Sequence, residues 1–203
     1  MKDEPHPIEI AATPDASVAI DPATATVVVR VGRLQRILSL DESLLVSFRR
    51  FHNPWRTALA RTLTRLGDGK SWAIIGLASL STLTPYGRHL ALRIGVGATL
   101  GSLCAVALKR SLTRPRPNVS IEGFEALVAN PDRFSFPSGH TAAAFGVAVA
   151  LAAEPNGVGP GALLLATGIG LSRVYLGAHY PLDVLAGVFL GVCAGLAARM
   201  LVA

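Results

Sequence analysis

Arg133-Phe134-Ser135-Phe136-Pro137-Ser138-Gly139-His140 leads directly into Thr141–Ala153, a segment without a single charged residue. That segment is too apolar for a surface helix, so the stretch marks the start of a buried or lipid-facing one. Pro137 ends the preceding loop and Ser138 is a natural helix N-cap. Gly139 leaves the unpaired N–H groups of the first turn open, at a terminus whose dipole favours an anion. His140 adds a titratable ring at the same place. Taken alone, these residues read more simply as a capped helix with an incidental histidine.

Two further clusters share this chemistry. Lys109-Arg110-Ser111-Leu112-Thr113-Arg114-Pro115-Arg116-Pro117 places four cations directly after an apolar run. Downstream, Ser172-Arg173 is followed by His179-Tyr180-Pro181-Leu182-Asp183. Pro181 suits the first turn of a helix, so His179 is expected just before that turn and Asp183 inside it. The Asp183 carboxylate then reaches back toward a ring nitrogen of His179, fixing the tautomer and making the other nitrogen a better nucleophile. A helix-capping Asp beside a surface His is the plainer alternative.

Lys109 with Arg116-Pro117, then Pro137-Ser138-Gly139-His140, then Ser172-Arg173, His179 and Asp183 together resemble the three-part signature of the type-2 phosphatidic acid phosphatase family. That family shares its site with vanadium-dependent haloperoxidases. The resemblance covers residues 109–183, and every signature position is matched. It implies that His179 attacks phosphorus to give a phosphohistidine, oriented by Asp183. It further implies that His140 protonates the leaving oxygen and then activates water. Lys109, Arg116, Ser138, Gly139 and Arg173 would form the phosphate cage, with planar guanidinium forks and neutral N–H donors. Asp183 is the one acidic residue that the sequence places near the second and third motifs. A metal-independent reaction without cofactor is therefore expected.

The bulk composition agrees with a lipid-associated chain. Hydrophobic residues make up 51% of the 203 and charged residues 16%, and mean hydropathy is +0.47, unlike an ordinary soluble domain. The net charge of +6 suits anionic lipid or nucleic acid. Aromatic content is low, at 6%, and the basic residues abut apolar runs, so the bilayer and a lipid phosphate are the expected partners and nucleic acid is not. Cys104 and Cys193 fall in apolar segments and read as small packing residues.

Residues 1–25 are polar and acidic and read as a disordered tail with no visible signal peptide. Residues 26–70 read as an amphipathic interfacial region. Thr26–Leu40 is too charged to span, and Asp41 is placed as a helix cap before Leu44, Leu45, Phe48 and Phe51. Beyond Pro54, basic and apolar residues continue at helical spacing, which fits a helix in the membrane interface or one packed on the fold. His52 is taken as an interfacial bystander, Gly67-Asp68-Gly69 as a break, and Pro85–His89 as a tight turn.

Residues 71–203 then form the catalytic domain. Its apolar segments are about 71–85, 90–108, 138–153, 159–171 and 182–203. The expected fold is all-α: a membrane-embedded bundle of about five transmembrane helices plus an N-terminal amphipathic helix. Threading five crossings puts Lys109, Ser138, Arg173 and His179 on one membrane face. Sixteen of the 19 Lys and Arg residues lie on that side, against Arg88, Arg93 and Arg199. By the positive-inside rule the site faces the cytoplasm of a multi-pass, bacterial inner-membrane protein. Six crossings, with residues 26–40 inserted, would turn it outward.

The expected activity is hydrolysis of a phosphate or diphosphate on a lipid. Phosphatidic acid, phosphatidylglycerol phosphate, an isoprenyl diphosphate and an isoprenyl-linked sugar phosphate all fit. The loop 118–136 is expected at the entrance. A vanadium haloperoxidase and a non-catalytic phospholipid binder are the other classes considered.

Overall fold

A computed structural model describes residues 8–13, 16–21, 26–130, 132–155 and 157–202. It divides into two compact units, residues 1–44 and 45–203. In the first, the strands β1 (Ile8–Thr13), β2 (Ala16–Asp21) and β3 (Thr26–Val31) form an antiparallel sheet in the order β1-β2-β3. A disordered tail was expected over most of this stretch. Ile8 and Ile10, Val18 and Ile20, and Val27, Val29 and Val31 alternate with the period of a strand, a pattern easily overlooked among prolines and acidic residues. The rest of the expected tail lies outside the described residues.

Helix α1 runs Arg33–Phe48 and crosses the unit boundary. Asp41 lies in its interior and does not cap it, because Leu34 to Leu40 hold no helix breaker. A short 3₁₀ turn, Arg49–Phe51, leads to α2 (Pro54–Leu66). Asn53 caps α2, its Oδ1 accepting from the Arg56 N–H at 2.8 Å. One face of α2 packs on α7 (Val158–Tyr175), with Leu63 against Gly168, while Trp55 and Leu59 stay exposed. His52 is part of this junction, not a bystander: its Nε2 is 2.9 Å from the Tyr175 carbonyl oxygen.

Helix α3 (Gly69–Ser81) is followed by a turn at Leu83, whose φ is +54°, and by α4 (Pro85–Ser111). Pro85–His89 is thus the first turn of α4. Proline at the first helical position starts a helix without loss of a hydrogen bond, and Thr84 Oγ1 accepts from the Gly87 N–H at 2.9 Å. His89 is accordingly helical, and near it Arg93 pairs with Glu154 at 2.8 Å. The short α5 (Pro117–Ser120) lies in the following loop. Then come α6 (Gly139–Ala150), α7 and α8 (Pro181–Leu201).

The core is α6, buried along almost its whole length between α4 and α8. Small residues let the backbones meet. A Cβ at Gly101 of α4 would stand 2.4 Å from the Ala142 oxygen, and one at Gly191 of α8 would stand 2.7 Å from that same oxygen. Gly187, Gly191 and Gly195, one turn apart, give α8 a continuous groove for α6, the small-residue packing of membrane helices. The opposite face of α8 exposes Leu185, Phe189, Leu196 and Met200. Cys104 and Cys193 also lie on exposed faces and not in the packing. Among the described residues, α4 and α8 are the two helices long and apolar enough to cross a membrane. From residue 45 onward every named element is helical.

Candidate active site

The ends of four helices meet at one end of this core. Lys109 is in the last turn of α4, Ser138 caps α6, Arg173 is in the last turn of α7, and Asp183 is in the first turn of α8. The fourth apolar segment runs on to Tyr175, so Arg173 is helical where the sequence placed it just beyond. Ser138 Oγ faces the Thr141 N–H at 3.5 Å and the Thr141 hydroxyl at 2.8 Å. The Ser138 N–H itself donates to the Asp183 carbonyl at 3.0 Å, tying the second motif to the third.

His179 is 1% exposed. The 176–180 turn, with Gly177 at φ +69°, folds back so that the Ala178 and His179 N–H groups donate to the Arg173 carbonyl. Arg116 is buried beside it. Its Nη1 donates to the Ala178 carbonyl at 2.6 Å and lies 3.5 Å from His179 Nε2. The other ring nitrogen, Nδ1, points at Asp183 Oδ2 from 3.6 Å, beyond hydrogen-bond range. Asp183 is held by other groups, as the Tyr180 N–H donates to Oδ2 and Arg114 to Oδ1, each at 2.9 Å. Arg114 also lies 3.8 Å above the Tyr180 ring. Burial, with the Arg173 and Arg116 charges adding to it against the pull of Asp183, pushes His179 down to about 3. Its ring is neutral at physiological pH.

The remaining cations are engaged by groups outside the three motifs. Lys109 Nζ lies 2.6 Å from Asp132 Oδ2, and Arg116 Nη2 meets the other oxygen of the same carboxylate. Burial opposes ionisation of Asp132, but the bonds from Lys109 and Arg116 hold its carboxyl below the usual range. Arg173 donates to the Thr64 hydroxyl and to Asn130 Oδ1, while its buried Nε has no partner among the described residues. His140 Nε2 lies 2.7 Å from Asp68 Oδ1. A Cβ at Gly139 would find its nearest neighbour at 4.0 Å, so the helix start is open there.

The structure thus gathers all eight expected residues at one end of the bundle. It adds Asp68, Arg114 and Asp132, which the sequence reading left aside. Asp183 is therefore not the sole acidic residue at the site. Asp68 was within reach of the threading argument, since the Gly67–Gly69 break precedes the first crossing on the same face. Two cavities open beside the site. One of about 760 Å³ is lined by the 118–134 loop and Arg116. The other, about 380 Å³, is lined by α2 with His140 and Arg173.

Buried guanidinium groups around a neutral histidine, with a second histidine at a helix start, form an arrangement that could hold a phosphoryl group. The chain belongs to the PAP2 superfamily, whose profile matches residues 90–203. It is 38% identical over 128 residues to the decaprenylphosphoryl-5-phosphoribose phosphatase of Mycolicibacterium smegmatis, covering 63% of this chain and 69% of that one. Among solved structures it resembles the transmembrane PAP2-type phosphatidylglycerolphosphate phosphatase of Bacillus subtilis. The TM-score is 0.66 at 28% identity, over 82% of this chain and 86% of that one. Aquifex aeolicus LpxE gives the same TM-score at 26% identity, over 77% and 92%.

Proposed function

We propose that this protein hydrolyses a terminal phosphate from a polyprenyl-type lipid, without a metal ion, through a phosphohistidine at His179. The observation that carries the reading is the position of His179. Its Nε2 faces the Arg116 guanidinium, which can only donate, and Nδ1 points at Asp183, so the ring lone pair is at Nε2 on the cage side. Held neutral by burial, the ring needs no base to activate it.

In the first step Nε2 attacks phosphorus and a P–N bond forms. The bond from phosphorus to the leaving oxygen breaks, and that oxygen takes a proton from His140. In the second, water attacks phosphorus, His140 takes its proton, and the P–N bond breaks to release phosphate and restore His179. Lys109, Arg116 and Arg173, with Ser138 and the Gly139 N–H, neutralise the charge on the equatorial oxygens in both transition states. Those fixed side-chain cations supply what a divalent ion would otherwise provide.

The lipid reading rests on the apolar surface. A groove of about 780 Å³ between α3 and α4 runs from Gly69, next to the Asp68 that contacts His140, past Leu77 and Leu92 to Arg88. We assign it to the hydrocarbon chain. The polyprenyl class follows from likeness to the mycobacterial phosphatase. We further propose five crossings, with α4 and α8 spanning fully and α3, α6 and α7 completing the bundle, and a site that faces the cytoplasm. A thiol placed at Asn118, with Cys104 and Cys193 removed, would then escape membrane-impermeant reagents in intact cells. Labelling there would reverse the orientation.

The deciding experiment is phosphate release from a panel of lipid phosphates by the purified protein in detergent, with and without EDTA. Release that survives chelation supports the reading. Loss on chelation with rescue by magnesium overturns the metal-independent mechanism.

A further inference from the structure

The cavity on α2 adjoins His140 and Arg173 and carries two cations beyond those assigned to the transferred phosphoryl group. Arg61 and Arg65 are one helical turn apart and so share a face of α2. Both line the 380 Å³ space together with His140 and Arg173. Arg61 is anchored: its Nε and Nη2 donate to the Leu127 carbonyl at 3.3 and 3.1 Å, while Nη1 has no hydrogen-bond partner among the described residues. The Arg65 side chain makes no hydrogen bond or ion pair with any described residue. The one carboxylate in the lining, Asp68, is engaged by His140. The buried Nε of Arg173, also without a partner among the described residues, adds a donor on the same side.

The position of this cavity has a chemical meaning that rests on the mechanism proposed above. His140 delivers its proton to the leaving oxygen, so the leaving group lies on the His140 side of the transferred phosphorus. The cavity with Arg61 and Arg65 is on that side. We propose that it is a subsite for a second phosphate, carried on the leaving group of the substrate. A lipid diphosphate meets this requirement, since its leaving group is a lipid monophosphate. So does a sugar phosphate joined to a lipid by a phosphodiester. A phosphatidic acid leaves a neutral diacylglycerol and has nothing to place there. Guanidinium groups suit the role, because they offer forked donors to phosphate and remain charged at any working pH.

The test compares farnesyl diphosphate with a short-chain phosphatidic acid on the purified full-length protein in detergent. Arg61→Gln, Arg65→Gln and the double variant are measured beside Arg65→Lys. Losing charged hydrogen bonds to the second phosphate should raise KM for farnesyl diphosphate roughly tenfold in the double variant. The kcat/KM for phosphatidic acid should change less than about twofold by the same principle, and Arg65→Lys should recover part of the loss. Arg65→Gln removes no side-chain hydrogen bond or ion pair to any described residue, so its effect is not one of misfolding. Equal losses on both substrates or no loss on the diphosphate would each overturn the subsite while leaving the proposed function intact. A wild-type protein that accepts only phosphatidic acid would overturn the subsite and the polyprenyl assignment but not the phosphatase chemistry. A wild-type protein that releases phosphate from neither lipid would overturn both.

Discussion

Asp132 Oδ2 lies 2.6 Å from Lys109 Nζ, so a carboxylate of the chain itself sits on a cation that the mechanism assigns to substrate phosphate. With Arg116 on its second oxygen, Asp132 imitates two of the three oxygens of a bound phosphoryl group. On the proposed mechanism a phosphate ester displaces it. Asp132→Asn should therefore tighten inhibition by orthovanadate or inorganic phosphate by roughly three- to tenfold and lower KM, since a neutral amide competes poorly for these cations. Unchanged or weaker oxyanion inhibition would show that Asp132 builds the cage and does not compete for it.

The two histidines are expected to fail differently. His179→Ala should lower kcat by at least about a thousandfold and form no phosphoenzyme, because the nucleophile is gone. His140→Ala should lose roughly a hundred- to ten-thousandfold, yet still accept phosphate from a substrate with a good leaving group such as p-nitrophenyl phosphate. Acid-labile radiolabel on His140→Ala, absent from His179→Ala, is the diagnostic result. The reverse pattern would exchange their roles.

Asp68→Asn tests the partner of His140. The carboxylate at 2.7 Å orients the ring for proton transfer, so Asn should lower kcat about tenfold or more with little change in KM. The loss should be smallest for p-nitrophenyl phosphate, whose leaving group needs no proton. A uniform loss across leaving groups would leave Asp68 a purely structural role.

Burial of a neutral His179 also makes stability depend on pH. Its folded value, about 3, lies below the ordinary 6.5, so between these limits the unfolded chain binds the extra proton. The contribution to stability is complete above about pH 6.5 and is lost progressively as the pH falls toward 3. In detergent, the Tm of the wild type should fall more between pH 7 and pH 4.5 than that of His179→Gln. Parallel falls would mean that other groups govern acid sensitivity.

Whatever depends on neighbours in the chain was legible before the fold was known. Ser138 as a cap, Pro181 opening a helix between His179 and Asp183, and the gathering of three motifs at one end all follow from local rules and helix count. The partners of the motif residues were not legible. Asp68 meets His140 across 72 positions and Arg114 meets Asp183 across 69, and no local pattern encodes such pairings. Pro85 was misread because a proline after Thr84 serves equally in a turn or a first helical turn. The strands of the N-terminal unit were overlooked because their period-two alternation is short and set among acidic residues and prolines.

The glycine contacts along α6 also set a dimension. Lys109 belongs to α4 and Asp183 to α8, and both helices approach α6 so closely that Gly101 and Gly191 each face the Ala142 carbonyl, with only backbone and Cβ atoms at these contacts. The width of the phosphate cage is thereby gauged some turns away from it, by the thickness of a peptide unit. Enlarging Gly191 by one methyl, which would come within 2.5 Å of the Phe145 Cβ, should cost about 1–3 kcal/mol of stability. It should also widen the cage, so that KM rises in a protein whose catalytic residues are all intact. A bundle assembled with bulky side chains would absorb that methyl by repacking. This one can transmit it to the chemistry.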